Sequence, residues 1–212
     1  ADIEKPIIEE GELLIQVMAT SVNPMDWKIR DGEMKMMTGK TPPQVLGADF
    51  AGIVSKVNPS VKGFKKGDEV YGMVNGMKGG AYAEYLKIKE DMLAMKPSNI
   101  SFEEAASLPM VAQTAYQALV HKAQVKKGDH VLINGATGGV GSAAVQIAKA
   151  LGCMVTGVCS TKNIEFSKSL GADHIVDYKK ENVLTNQNSY DIVFDTIGNH
   201  SFAEFKPTLK PG

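Results

Sequence analysis

Hydrophobic positions follow two different rhythms along the chain. Up to about residue 100 they come in short runs, ELLIQVMATSV, VLGADFAGIVSKV, DEVYGMV and AYAEYLKI, separated by the turn-rich pieces GKTPP, NPSVKGFKKGD and VNGMKGG. Many short strands with glycine-rich turns predict an antiparallel, barrel-like domain over residues 1–100. The segment SFEEAASLPMVAQTAYQALVHKA then opens with Ser101 and Glu104 in capping-box spacing and reads as helix, interrupted at Pro109. From there the strands HVLING, CMVTGVC, HIVDY and YDIVFDTIG alternate with helical stretches, among them NIEFSKSLGA. Strand and helix in alternation predict an α/β domain over 101–212, a doubly wound parallel sheet of the Rossmann type. The closing LKPG reads as the turn into another strand. An unfinished sheet edge and a partial chain are therefore expected, with a homodimer forming through that edge in the complete protein.

The densest chemical signal is HVLINGATGGVGSAAVQIAKALG, residues 130–152. A strand ends at Gly135, and Gly138, Gly139 and Gly141 lie in the turn that starts a helix. Val140, Ala143, Ala144, Ile147, Ala148 and Leu151 recur at helical spacing and form its apolar face. Small residues let such a turn be tight and let a pyrophosphate approach the backbone. The N–H groups and positive dipole end of the helix then stabilise phosphate charge. Ala136 stands at the first glycine of G-x-G-x-x-G, so the fingerprint rests on its place between strand and helix more than on its letters.

The end of the next strand selects the nucleotide. An NAD site carries an acidic residue there for the ribose 2′-hydroxyl. Here the strand ends in Ser160, Thr161, Lys162 and Asn163, two hydroxyls, an ammonium and an amide suited to a 2′-phosphate. Tyr178, after the third strand, is placed to flank the adenine or add a hydroxyl. NADPH is the expected cofactor. Lys162 also reads as a solvated lysine at a helix start, and Tyr178 as a packing residue.

Composition changes this picture little. With 43% apolar residues, 22% charged and a formal net charge of −1, the chain is an ordinary globular protein with no electrostatic pull toward nucleic acid or an anionic membrane. No apolar run approaches the ~20 residues of a membrane span. No signal-like segment is read, and the cytoplasm is the default compartment. Cys153 and Cys159 lie in one strand, roughly 20 Å apart if extended, too far for a disulfide. Neither they nor the four histidines have the spacing of metal ligands.

A barrel-like domain followed by GATGGVG in a nucleotide-binding domain resembles the medium-chain dehydrogenase/reductase superfamily, across essentially the whole chain. The resemblance implies a GroES-like N-terminal domain and a Rossmann domain meeting at a cleft. Zinc alcohol dehydrogenases of that superfamily hold their catalytic metal with cysteine and histidine; the matching positions here are Asn23, Ala48 with Asp49, and Met110. Those side chains cannot make a tetrahedral Cys/His site. Together with NPMDWKIRDG, CSTKN and KSLGADHIVDYK, this resembles the zinc-independent quinone oxidoreductase and 2-alkenal (enone) reductase branch. It implies reduction of a small-molecule enone or quinone by NADPH, with no metal.

Within VNPMDWKIRDG, and at Thr114 in AQTAY, the resemblance assigns roles. Lys28 would contact the nicotinamide ribose and support a developing enolate, Asn23 would contact the same ribose, and Thr114 would lie near the nicotinamide. Lysine side chains are ordinarily charged at neutral pH, so Lys28 can act as a donor to an oxyanion. Asp26 reads as structural, bonding backbone N–H groups in the first helical turn. A solvated lysine and a plain helix cap are the competing readings of Lys28 and Asn23. Met34, Met36, Met37, Met73 and Met77 read equally as the lining of an apolar cleft or as surface loops. A non-catalytic NADPH-binding module and an enoyl-reductase piece of a synthase are the other functional classes.

Overall fold

The computed structural model describes residues 2–39 and 45–211. Most of the turn read at GKTPP falls outside them. The chain divides into two compact units, Ala1–Met110 and Val111–Gly212.

The first unit opens with β1 (Glu12–Thr20), followed by the helices α1 (Pro24–Arg30) and α2 (Lys35–Thr38). The strands β2 (Asp49–Val57), β3 (Glu69–Met73), β4 (Tyr85–Lys89) and β5 (Leu93–Met95) come next. All pair antiparallel in the order β4-β1-β2-β3-β5. Alternation along the strands turns Leu13 and Ile15 of β1, Phe50 and Val54 of β2, Val70 of β3 and Leu86 of β4 into one core. Each is 3% exposed or less, and each contributes about 1.5–3 kcal/mol of apolar burial. Gly52 is required where β2 crosses β1, because a Cβ there would press on the Gln16 carbonyl and lie 2.8 Å from Ile15 Cγ2.

Ser101 caps α3 (Phe102–Ala106), accepting from the Glu104 N–H while the Glu104 carboxylate accepts from the Ser101 N–H. Ala105 and Ala106 pack on Ala51 of β2, so this helix stays with the first unit although it follows residue 100. Helix α4 (Pro109–Tyr116) starts at the proline that interrupts the run and continues into a π-type turn, Gln117–Lys122.

The second unit contains β6 (His130–Asn134), α5 (Gly139–Ala150), β7 (Met154–Cys159), α6 (Ile164–Ser169), β8 (His174–Asp177), β9 (Ile192–Asp195) and α7 (Phe202–Phe205). Its strands are parallel in the order β8-β7-β6-β9. Val131 and Ile133 of β6 pack with α5 on one face, whereas Leu132 packs with Val158, Val176 and Phe205 on the other. Both faces are covered, as a parallel sheet requires. Strand order reverses between β6 and β9, where a doubly wound sheet opens a crevice at its carboxyl ends. Among the described residues no helix is long and apolar enough to cross a membrane.

Candidate functional site

In the second unit, β6 delivers the chain at Asn134 into a turn that Gly135 closes with φ +83°. The N–H groups of Gly135 and Ala136 donate to the Val158 carbonyl at 3.2 and 3.0 Å, tying the turn to β7. Gly138 caps α5 in extended conformation, and Gly139, Val140 and Gly141 form the first turn, whose N–H groups have no intrahelical acceptor. Val140 is half-buried against the α5 core.

Beside this loop is a cavity of about 510 Å³. Gly138, Ser160, Asn163 and Tyr178 line it, so the structure brings together four of the predicted residues from three separate strand ends. Asn163 Nδ2 donates to Thr137 Oγ1 at 3.1 Å and fixes the glycine loop to the turn after β7. Tyr178 is exposed, and its backbone N–H donates to the Cys159 carbonyl at 3.1 Å. Lys162 is exposed on the 3-10 turn Thr161–Asn163 and does not line the cavity. Thr114 is exposed on α4.

One carboxylate escaped the sequence reading of this corner. Thr161 Oγ1 donates to Asp177 Oδ2 at 2.6 Å, and Asp177 Oδ1 accepts from the Lys179 N–H at 3.1 Å. The Thr161 hydroxyl, with the Lys179 N–H and the Lys180 and Lys179 ammonium groups near, holds the Asp177 carboxyl below the usual carboxylate range against its burial. Asp177 is 4% exposed, so its charge lies behind the turn and its acceptors are directed to protein donors. Asn134 and Asn199 were also missed. Asn134 Nδ2 donates to Asp195 Oδ1 at 2.8 Å and Asn199 Oδ1 at 2.9 Å, linking the ends of β6 and β9 at the strand reversal. Both line the cavity, and an Asx residue at or shortly after the end of a parallel strand was the available signal.

Asn23 and Lys28 belong to the first unit. Asn23 is the N-cap of α1 and Pro24 its first residue, a favoured start because proline's missing N–H has no helical acceptor to lose. Asp26 Oδ2 accepts from the Asn23 N–H at 2.7 Å, the structural role expected for it. The Tyr82 hydroxyl lies 3.0 Å from the same oxygen and 3.2 Å from the Ser21 carbonyl. Burial and the Asp26 carboxylate push the Tyr82 phenol up, so it stays a donor at any ordinary pH. Tyr82→Phe is expected to lower stability by about 1 kcal/mol in urea unfolding, the net worth of one such bond; an unchanged midpoint would remove it from the α1 anchor.

The positions matched above to zinc ligands converge. Asp49 Oδ2 accepts from Ser21 Oγ at 2.8 Å and Asn23 Nδ2 at 2.9 Å, and Oδ1 accepts from the Met110 N–H at 3.0 Å. Burial pushes the Asp49 carboxyl up, against these three donors that pull it down. Lys28 is exposed, its Nζ 5.6 Å from the ring centroid of the exposed Trp27. Among the described residues no group of three or more His, Cys, Asp or Glu side chains is placed to hold a metal ion.

Residues 9–98 match the family model described as Alcohol dehydrogenase GroES-like domain, and residues 139–212 that described as Zinc-binding dehydrogenase. A 2-methylene-furan-3-one reductase of Solanum lycopersicum is 42% identical, over 93% of this chain and 53% of its own length. The chloroplastic NADPH-dependent alkenal/one oxidoreductase of Arabidopsis thaliana has the same identity and coverage. The solved quinone oxidoreductase of Coxiella burnetii superposes with a TM-score of 0.85 at 37% identity, over 94% of this chain and 64% of that one. The chain spans about half the length of these curated relatives. It belongs to the medium-chain dehydrogenase/reductase superfamily, with a GroES-like domain followed by a Rossmann-type nucleotide-binding domain.

Proposed function

We propose that the complete protein is an NADPH-dependent, zinc-independent reductase of α,β-unsaturated carbonyls or quinones. The observation that carries this reading is the cavity at the carboxyl ends of the parallel strands, with the glycine loop on one side and Ser160, Asn163 and Tyr178 on the other. The donors fit a dinucleotide: N–H groups of the α5 first turn for the pyrophosphate, and the Ser160 hydroxyl for a 2′-phosphate, with the exposed Lys162 ammonium, outside the cavity lining, as the nearby cation. Bound NADPH would supply the hydride. Lys28 would donate to the carbonyl oxygen on which charge collects as the conjugated double bond is reduced, and Asn23 would hold the nicotinamide ribose. Thr114 would lie near the nicotinamide ring.

Zinc does not fit the residues that replace its ligands. The Asp49 carboxylate already serves three donors, and Asn23, Ala48 and Met110 are not the thiolate and imidazole ligands of such a site. The relatives named for alkenal/one and furanone reduction favour an enone over an alcohol as substrate.

The test is binding and turnover by the full-length protein. NADPH is expected to bind at least about 10-fold more tightly than NADH, and to be oxidised with an enone or quinone panel. Lys162→Ala is expected to weaken NADPH by about 10-fold, the loss of one charge-assisted contact, and to leave NADH unchanged. Equal affinity for the two coenzymes would overturn the phosphate assignment. Tight binding with no turnover on any acceptor would instead mark a non-catalytic NADPH-binding protein.

A further inference from the structure

At the head of α1 the side-chain amide of Asn23 has both N–H directions taken. Nδ2 donates to Asp49 Oδ2 at 2.9 Å and to Ser21 Oγ at 3.2 Å. Ser21 Oγ donates to that same carboxylate oxygen, and the second oxygen is held by the Met110 N–H. Asp49 is 0% exposed and Asn23 5%, so water does not compete for these groups.

A side-chain amide ordinarily has two orientations of similar energy, because its last torsion is broad and roughly two-fold. Here they differ. Turning the Asn23 amide over would set Oδ1 against the Asp49 carboxylate, two acceptors face to face in a buried place where no solvent screens them. An ionised carboxylate has only acceptor sites and cannot adapt to the reversed amide. The remaining polar atom of Asn23 is Oδ1. A carbonyl oxygen has two lone pairs, so Oδ1 can accept from a ligand hydroxyl.

We infer that Asp49 is a positioning residue: it fixes the Asn23 amide so that Asn23 meets its ligand only as an acceptor, which selects a hydroxyl donor such as a ribose hydroxyl. The inference rests on the reading of Asn23 as a cofactor contact. Asp49 touches neither cofactor nor substrate in this scheme and acts through Asn23 alone.

The experiment is a double-mutant cycle in the full-length protein, read as NADPH Kd and kcat/KM. Asp49→Asn keeps the shape but has a single acceptor oxygen for the Asn23 amide and the Met110 N–H; when that oxygen serves Met110, the new NH2 group faces Asn23 and favours its turned-over amide. Asn23→Ala removes the group that is positioned. Each single variant is expected to lose about 10-fold, and Asp49→Asn,Asn23→Ala to be no worse than Asn23→Ala, since residues acting as a unit are non-additive. Additive losses would overturn the positioning role while leaving Asn23 a contact. An Asn23→Ala enzyme with unaltered Kd and kcat/KM would sink the reading of Asn23 itself. Should Asp49→Asn not fold, the wild-type protein still decides: the Asn23 side-chain NH2 protons are expected to exchange slowly with solvent by NMR, and rapid exchange would rule out the clamp.

Discussion

Gly141→Ala is expected to unfold the second unit or lower its stability by about 3 kcal/mol or more, whereas Gly138→Ala leaves the fold intact and impairs only dinucleotide binding. The two glycines stand three residues apart in one loop, yet they are glycines for different reasons. A Cβ on Gly141 would press into the Gly135 carbonyl oxygen, 2.8 Å from its carbon and 3.0 Å from Ala136 Cα. All three are backbone atoms, so no side-chain rotation relieves the contact. Helix α5 would have to lift from the sheet, loosening Ala144, Val145 and Ala148 from Val131, Ile133 and Val155. Overpacking typically costs 1–3 kcal/mol where a core can adjust, and a rigid backbone adjusts least. That loss is a large share of the ~5–15 kcal/mol that holds a domain. Gly138, by contrast, has φ −80°, and its added Cβ would meet only the Gly135 carbonyl at 3.4 Å. Alanine fits there within about 0.5 kcal/mol. The new methyl group would stand on the cavity side of the loop, where a pyrophosphate needs the backbone bare, and NADPH affinity should fall by about 10-fold or more. Thermal melts paired with cofactor titration separate the two. A Gly141→Ala protein of wild-type stability, or a Gly138→Ala protein with wild-type affinity, would contradict this division.

What could be read in the sequence was local. The Ser101–Glu104 capping box, the break at Pro109 and the strand–glycine turn–helix at residues 130–150 each arise from neighbours within a turn or two, and each stands in the structure as read. What could not be read was side-chain pairing across the fold. Thr161 looks like a free hydroxyl beside a phosphate subsite until β8 brings Asp177, sixteen positions on, to accept its hydrogen bond. Asn23 looks like a helix cap until β2 places Asp49 against its amide. Tyr82 lies 56 positions from the Asp26 it bonds, and Asn199 lies 65 from Asn134. Periodicity reports which face a residue takes, not which strand will lie opposite. The π-type turn at Gln117–Lys122 was missed for a related reason, since its apolar spacing suits an ordinary helix equally well.

Lys28→Ala in the full-length protein is expected to reduce kcat/KM for enones by about 10²–10³-fold, the usual consequence of removing one donor to a developing oxyanion. The structure makes this a clean experiment. Lys28 is exposed, and its ammonium stands 5.6 Å from the Trp27 ring centroid, near the outer limit of a cation–π interaction. The helix is anchored by other residues: buried Ile29, and Asp26 with Tyr82 and the Asn23 N–H. Truncating Lys28 should therefore leave the stability within the ~0.5 kcal/mol scatter of surface substitutions. A structural lysine would show the reverse, lower stability with unaltered turnover. Because the proposed donor acts on charge that grows during hydride transfer, kcat should carry most of the loss. Lys28→Arg, which keeps the charge but spreads it over a planar fork, is expected to recover part of the rate and not all of it. If Lys28→Ala turns over enones at the wild-type kcat/KM, then the donor is another group.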